Sequence, residues 1–138
     1  MINKGDSMLD NLNEEQKKAV EKTEGPVLVL AGAGSGKTKV LTTRVAYLVN
    51  EKEIDPYNIL AITFTNKAAK EMKDRVFKML GIDAYRIQIS TFHSLGLLLV
   101  RENYDKLGYE KNFTILDSED TLTVIKKILK DRCNIYLV

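Results

Sequence analysis

The 138-residue sequence has few residues that form disulfides or bind metal ions. It contains one cysteine, Cys133, and one histidine, His93, which excludes a disulfide framework and the usual zinc-ligand sets. The longest apolar runs, 26–33 and 95–100, are far too short to span a bilayer. The single thiol and the lack of a secretory signal indicate a reducing compartment. We therefore predict a cytoplasmic protein without membrane contact.

The sequence also lacks an excess of charge of one sign. It has 21 basic and 19 acidic residues, which gives a net charge of +2. A modest positive excess lies in residues 65–100, where 6 basic side chains face 3 acidic ones, and this favours an anionic partner. The hydrophobic fraction of 44% is typical of a globular protein, and the length is sufficient to bury a core.

Strand-like and helix-like segments alternate along the chain. Three short apolar runs predict buried strands: 27–30, 59–64 and 87–90. Five periodic segments predict helices: 13–23, 36–50, 66–80, 91–106 and 117–130. This alternation predicts an α/β fold in which helices flank a parallel sheet. The apolar residues 135–138 follow a helix and stop abruptly, which favours a truncated domain.

A glycine-rich segment lies between the first predicted strand and the helix that follows it. Residues 31–38 read Ala-Gly-Ala-Gly-Ser-Gly-Lys-Thr, an order typical of a P-loop except that alanine replaces the first glycine. Lys37 is expected to reach the β- and γ-phosphates of ATP, and the Thr38 hydroxyl to bind Mg²⁺. The other predicted phosphate-binding residues are Ala31, Gly32, Ala33, Gly34, Ser35 and Gly36.

An NTPase also needs a carboxylate after an apolar strand to hold the magnesium ion. The only candidate is Asp117, which follows the apolar run 113–116. Because a helical pattern begins at once, Asp117 is more typical of a helix N-cap. A self-contained small P-loop NTPase or kinase that uses Asp117 is an alternative function. A binding module without turnover is another.

Gln16 has two interpretations. The run Asn13-Glu14-Glu15-Gln16 matches a capping box, in which the Gln16 side chain reaches back to the Asn13 amide. A side-chain amide also offers a donor and an acceptor to the edge of an adenine ring. The spacing alone favours neither interpretation.

Two polar turns follow the second and third predicted strands, at 64–66 and 91–93. The carboxyl ends of parallel strands meet at one sheet edge, where ligands bind, so we expect these turns to be neighbours. The simpler alternative is that Phe64 is a core residue and that Thr65 or Asn66 caps the next helix. No nucleophile or carboxylate in the local sequence indicates acid–base work, so we predict that His93 is not catalytic.

The helix after the first turn carries lysines at positions 67, 70 and 73. Lys67 with Glu71, and Lys70 with Asp74, have the spacing of ordinary exposed ion pairs. This spacing predicts that the lysines form a solvated face.

Four blocks together resemble the UvrD/Rep/PcrA-type superfamily-one DNA helicases, and the resemblance covers nearly the whole chain from Leu9 onward. Residues 12–20 are similar to the family's adenine-reading Q motif. Residues 31–38 have its P-loop spelling, with alanine first. Residues 61–75 resemble motif Ia, and residues 90–94 resemble motif Ib.

The resemblance implies the N-terminal, ATP- and DNA-binding part of an ATP-dependent 3′–5′ DNA helicase, inactive by itself. It implies a RecA-like motor domain over 1–112 and the start of a helical subdomain over 113–138. It implies that Gln16 reads adenine, with ATP and Mg²⁺ as cofactors. The residues implied to contact single-stranded DNA are Phe64, Thr65, Asn66, Thr91, Phe92 and His93. The family's acidic motif, arginine fingers and second motor domain are missing from these 138 residues, so the remainder of the helicase chain is an expected partner.

Overall fold

The computed structural model describes residues 8–133, and these residues form an α/β arrangement. The helices and strands in chain order are α1 (Glu14–Glu21), α2 (Lys37–Asn50), a 3₁₀ helix (Pro56–Asn58), β1 (Leu60–Thr63), α3 (Asn66–Leu80), a second 3₁₀ helix (Gly81–Arg86), β2 (Gln88–Thr91), α4 (Phe92–Glu102) and α5 (Ser118–Cys133). The chain divides into two compact units, one ending at Leu97 and the other beginning at Leu98. All five predicted helices are present, with ends that shift by a few residues. The predicted apolar end, 135–138, lies outside the described residues.

The strands β1 and β2 are parallel neighbours, and α3 connects them. Their register pairs Leu60 with Gln88 and Thr63 with Thr91, so both strands finish at the same sheet edge. The turn after β1 is short because Thr65 caps α3 directly, accepting a hydrogen bond from the Ala68 amide at 3.1 Å. The expectation that the two polar turns are neighbours is therefore confirmed.

The main hydrophobic core lies between this sheet, α3 and α2. Ile89 of β2 and Val76 of α3 are 1% and 0% exposed, so both side chains are removed from water. The buried members of this core are Val45, Ile59, Met72, Val76, Ala84, Ile87 and Ile89. The alternation of buried and exposed positions along β2 follows the two-residue period of a strand.

A second, smaller cluster joins α1 to α2. Its buried members are Leu12, Val20 and Val40. The Arg44 guanidinium of α2 donates hydrogen bonds to the carbonyls of Ala19 and Val20. These carbonyls lie in the last turn of α1, where backbone acceptors have no partner within the helix. The position of α1 is therefore set by its contacts with α2, the helix that follows the glycine-rich turn.

The prediction of a buried strand at 27–30 is wrong. This segment has no regular secondary structure, and all four of its apolar side chains are exposed, with Leu28 and Leu30 at 84% and 87%. Strands are stabilised by pairing with a neighbour, and the sheet in the described part of the chain consists of β1 and β2 alone. An apolar sequence without a pairing partner does not form a strand.

Burial of the second predicted strand is also less complete than expected. β1 is shorter than the predicted segment, and Leu60 and Ile62 are 52% and 40% exposed. The core covers one face of the two-stranded sheet, where Ala61 packs against it, and the opposite face is open. On α2, Val40 and Val45 occupy the inward face, and Leu41 is exposed.

The unit that begins at Leu98 contains the end of α4, a run of turns and α5. α4 ends at Glu102, before the predicted end at 106, because turns occupy residues 104–108, where the Tyr109 amide donates to the Tyr104 carbonyl. The apolar residues of α5 are at least partly exposed along the helix. Within residues 8–133, no helix has the length and apolar content that crossing a bilayer requires.

The main core gives a testable expectation for stability. Replacing a fully buried isoleucine by alanine removes apolar contacts and leaves a cavity, so Ile89→Ala is expected to lower the free energy of unfolding by about 2–5 kcal/mol. Leu60→Ala is the matched control, because Leu60 lies in the neighbouring strand and is half exposed. Urea unfolding of both variants, followed by circular dichroism, measures the difference. Equal losses in the two variants would contradict this position of the core.

Candidate nucleotide site

The glycine-rich segment forms a turn that leads into α2. Gly34 and Gly36 have φ angles of 77° and 82°, values that side chains with a Cβ rarely adopt. Gly36 is the N-cap of α2, and no side chain caps this end of the helix. The first amides of α2 therefore have no side-chain acceptor, and the positive end of the helix dipole lies at the turn. This geometry is suited to binding an anion.

Lys37 folds back across the turn. Its ammonium group donates hydrogen bonds to the carbonyls of Ala31 and Gly32, at 3.1 and 2.6 Å. The Ser35 hydroxyl donates to the same Gly32 carbonyl at 2.8 Å. The cation is therefore held inside the turn by backbone oxygens. Thr38 lies next to Lys37 in the first turn of α2 and is partly buried.

The Gln16 side chain makes hydrogen bonds at both ends of its amide. Its Oε1 accepts from the backbone N–H of Asn13 at 3.0 Å. In return, the backbone N–H of Gln16 donates to Asn13 Oδ1 at 2.9 Å. The capping-box interpretation is therefore confirmed. Its Nε2 donates to the Ser35 carbonyl at 3.0 Å. Gln16 thus links the N-terminus of α1 to the P-loop turn, while its role in reading adenine stays a prediction.

An open cleft of about 300 Å³ lies beside this link. Its lining residues come from α1, the segment before the P-loop and the P-loop itself, and they include Gln16, Leu30, Gly32, Ser35, Lys37 and Val40. The cleft brings Gln16 and the predicted phosphate-binding residues together at one place. On the outer surface of α1, a hydrogen bond to Glu15 raises the pKa of Lys18.

The link between Gln16 and the P-loop was not predicted from the sequence. A Cβ added to Gly36 would lie 3.1 Å from Gln16 Nε2, so the end of the Gln16 side chain would have to shift by a few tenths of an ångström. The two residues are 20 positions apart, and no local pattern indicates that they meet. The only signal in the sequence was that each belongs to a separate motif with nucleotide chemistry.

The two polar turns after β1 and β2 lie side by side at the carboxyl edge of the sheet. Phe64 and Phe92 are 92% and 71% exposed, so neither is a core residue as the simpler interpretation of Phe64 required. Thr65 caps α3, as the alternative interpretation predicted. Thr91 Oγ1 accepts a hydrogen bond from the Ser94 amide at 3.2 Å and lies 2.8 Å from Ser94 Oγ. Asn66 and His93 are exposed beside them.

Asp117 is a helix cap. Its Oδ1 accepts a hydrogen bond from the Asp120 amide at 2.8 Å, and its own amide donates to Asp120 Oδ2 at 3.3 Å. This arrangement confirms the N-cap interpretation and gives no support to Asp117 as a magnesium ligand. In residues 8–133, no group of three or more histidine, cysteine or acidic side chains is placed to hold a metal ion.

Comparisons with known proteins agree with this geometry. The family described as the UvrD/REP helicase N-terminal domain matches residues 12–136. The chain belongs to this family. It is 56% identical over 125 residues to the ATP-dependent DNA helicase PcrA of Staphylococcus aureus (strain Mu50 / ATCC 700699), covering 91% of this chain and 17% of that protein. It is 57% identical over 124 residues to the protein of the same name from Staphylococcus epidermidis (strain ATCC 12228 / FDA PCI 1200), covering 90% and 17%. The chain therefore spans about a sixth of the length of these UvrD/REP relatives.

Gly36 provides a test of the turn geometry. Gly36→Ala is expected to cost about 1–2 kcal/mol of stability because its positive φ is unfavourable for a residue with a Cβ. The added Cβ also presses on Gln16 Nε2, so the link to Ser35 should lengthen. Gly96→Ala is the control, since Gly96 lies within α4 with open space around its Cα. Alanine there should be neutral or stabilising by about 0.5–1 kcal/mol. Urea unfolding measures both effects, and a stabilised Gly36→Ala variant would contradict the geometry.

Proposed function

We propose that this chain is the ATP- and DNA-binding N-terminal portion of an ATP-dependent 3′–5′ DNA helicase. The observation that carries the proposal is the P-loop turn, which joins Gln16 to the uncapped end of α2 in a chain of the UvrD/REP family. Two relatives named as ATP-dependent DNA helicases support the reaction. Because the chain spans 17% of their length, we assign the activity to the whole protein. We also propose a cytoplasmic location, in agreement with the reducing compartment that the single cysteine indicates.

The P-loop residues fit the phosphates of ATP. Residues 31–36 and the first amides of α2 supply donors, and Lys37 supplies a mobile positive charge. On binding, the Lys37 ammonium exchanges the carbonyls of Ala31 and Gly32 for β- and γ-phosphate oxygens. Thr38 would provide one ligand to Mg²⁺, which neutralises charge on the phosphates when it is bound. The carboxylate ligands would come from the remainder of the protein.

Adenine recognition by Gln16 requires a change of partners. Both ends of its amide are already used, by the Asn13 amide and by the Ser35 carbonyl. An adenine base therefore competes with the helix cap, with the P-loop, or with both. We propose that Gln16 exchanges at least one of these hydrogen bonds for the base.

The exposed segment 27–30 supports a RecA-like arrangement for the whole domain. Its four apolar side chains have the composition of a central strand, and they lie directly before the P-loop. We propose that strands from the remainder of the protein pair with this segment and complete the parallel sheet. In this arrangement residues 1–112 belong to the first motor domain, and 113–138 begin its helical subdomain.

Single-stranded DNA would lie along the carboxyl edge of β1 and β2. Phe64 and Phe92 present exposed rings there, and aromatic rings stack on bases of any sequence. Thr65, Asn66 and His93 are exposed at the same two turns, whereas Thr91 is 6% exposed and its hydroxyl is engaged by Ser94. Capping of α3 by Thr65 is compatible with this role, because the end of a capped helix can also bind phosphate.

The proposal predicts binding of ATP without turnover by the 138-residue chain. The acidic ligands and arginine fingers would come from the rest of the protein, and an arginine finger alone is worth a rate factor of roughly 10³–10⁵ in related reactions. Isothermal titration is expected to show weak ATP binding that Lys37→Ala removes. Lys78→Ala, a change on the surface of α3, should leave binding unchanged. Steady-state hydrolysis that depends on Lys37 would contradict the assignment of these groups to the remainder of the protein.

Base selectivity tests the role of Gln16. Gln16→Ala is expected to weaken ATP binding several-fold and to leave GTP binding nearly unchanged, since a neutral hydrogen bond contributes about 0.5–1.5 kcal/mol. Asn13→Ala is the matched control, because it removes the same helix cap but keeps the Gln16 side chain. Titration of both nucleotides into the three proteins gives the ATP-to-GTP ratio. If Asn13→Ala shifts this ratio as far as Gln16→Ala, then Gln16 acts through the cap alone.

A further inference from the structure

A groove runs along α3 and β2, away from the carboxyl edge of the sheet. It consists of two adjoining clefts of about 300 and 330 Å³, and Lys70 and Lys73 line both. The first cleft begins among Asn66, Thr91 and Ser94 at the strand ends. The second ends at Phe77, Tyr85 and Gln88. We call these two clefts together the α3–β2 groove.

The two lysines that line the groove have free ammonium groups. The predicted ion pair between Lys70 and Asp74 does not form, and neither does the pair between Lys67 and Glu71. Among the described residues, no carboxylate lies within ion-pair distance of Lys70 or Lys73. The lysines are therefore available to an anionic ligand, and Asp74 is the only acidic residue in the lining of the groove.

The far end of the groove carries two aromatic rings. Phe77 and Tyr85 meet edge to face, with ring centroids 5.2 Å apart and planes inclined at 61°. Tyr85 is 78% exposed and Phe77 is 45% exposed, so their contact leaves ring surface available to a ligand. Exposed aromatic rings beside unpaired lysines are the combination that single-stranded nucleic acids bind, through base stacking and phosphate contacts.

The groove is continuous with the strand-end turns. Asn66 and Thr91 line its first cleft and also belong to the two turns beside Phe64 and Phe92. The rise of an α-helix gives about 16 Å between Asn66 and Phe77, which is enough for more than one nucleotide. The Ser90 hydroxyl in the first cleft is buried and has no partner among the described residues, so a small shift would give a ligand another hydrogen bond.

We infer that the α3–β2 groove is a second subsite for single-stranded DNA, which binds nucleotides that extend beyond the strand-end turns. The inference rests on the proposed function, because the turns supply the neighbouring part of the same strand. Lys70 and Lys73 contact phosphates, and Tyr85 and Phe77 stack with a base. The groove is continuous with the turns, and exposed aromatic rings lie at both of its ends. This favours nucleic acid, whose bases stack on such rings, over an acidic protein segment, whose carboxylates do not.

The test compares oligothymidylates of increasing length, from about 4 to about 16 nucleotides, on the whole helicase that contains this chain. Fluorescence anisotropy is measured for a Lys70→Ala/Lys73→Ala variant and for Tyr85→Ala. Both should weaken binding of long oligonucleotides and leave short ones unchanged. We expect a loss of roughly 5- to 150-fold for Tyr85→Ala. For the double variant, the slope of log affinity against log salt should fall by about 1.4.

Two exposed residues outside the groove serve as controls. Lys78→Ala removes a lysine from the same helix, and Tyr109→Ala removes an exposed ring in the unit that begins at Leu98. Neither should alter binding at any length. A photoreactive halogenated uracil placed along the oligonucleotide should crosslink to Tyr85 only at positions beyond those that crosslink to Phe64 or Phe92.

The other outcomes test the groove inference and the proposed function separately. If Phe64→Ala and Phe92→Ala weaken binding at all lengths while the groove variants have no effect, the groove inference is wrong and the proposed function stands. If Phe64→Ala and Phe92→Ala also have no effect, the assignment of DNA to the sheet edge fails as well. Polyglutamate and a second oligonucleotide are also compared as competitors of the long oligonucleotide. If polyglutamate displaces it equally well, the inference is wrong and an acidic protein segment is the better ligand.

Discussion

The parallel pairing of β1 and β2 is the constraint on which the unit ending at Leu97 depends. Because the strands run in one direction, the chain must cross back between them, and α3 makes that crossing. The crossing helix covers one face of the sheet and supplies Met72 and Val76 to the core. The same register brings Thr63 beside Thr91, so the two polar turns are neighbours at one edge. The core, the turns and the groove beside α3 all follow from this pairing.

Interactions within a few residues were predicted from the sequence. Asn13 and Asp117 each cap a helix through an amide three positions away, and Thr65 does the same for α3. Such hydrogen bonds depend on local residue types and spacing, which the sequence displays directly. The amphipathic periods of the helices were equally visible, and the buried positions of α3 matched them.

Structural features that depend on residues far apart in the sequence were predicted less well. The apolar run at 27–30 resembles a strand, but pairing depends on whether another strand lies beside it. Lys70 and Asp74 have the spacing of an ion pair. An exposed pair gains little energy and loses side-chain entropy, so this spacing alone does not ensure that the pair forms. At the site, the P-loop was visible as a motif, while the contact between Gln16 and Ser35 joins residues 19 positions apart. Its geometry is a result of packing α1 on α2.

The exposed segment 27–30 has a consequence during protein synthesis. If the strands that we propose to cover this segment lie further along the whole protein, the segment leaves the ribosome, at about 5–20 residues per second, before they are made. Four apolar side chains in an extended, unpaired segment are a site for non-native association with other nascent chains. Pairing over such a sequence separation also raises contact order and slows folding. The residues that lead into the P-loop would therefore be among the last of the domain to reach their final environment, and a chaperone that shields apolar segments would act on them first.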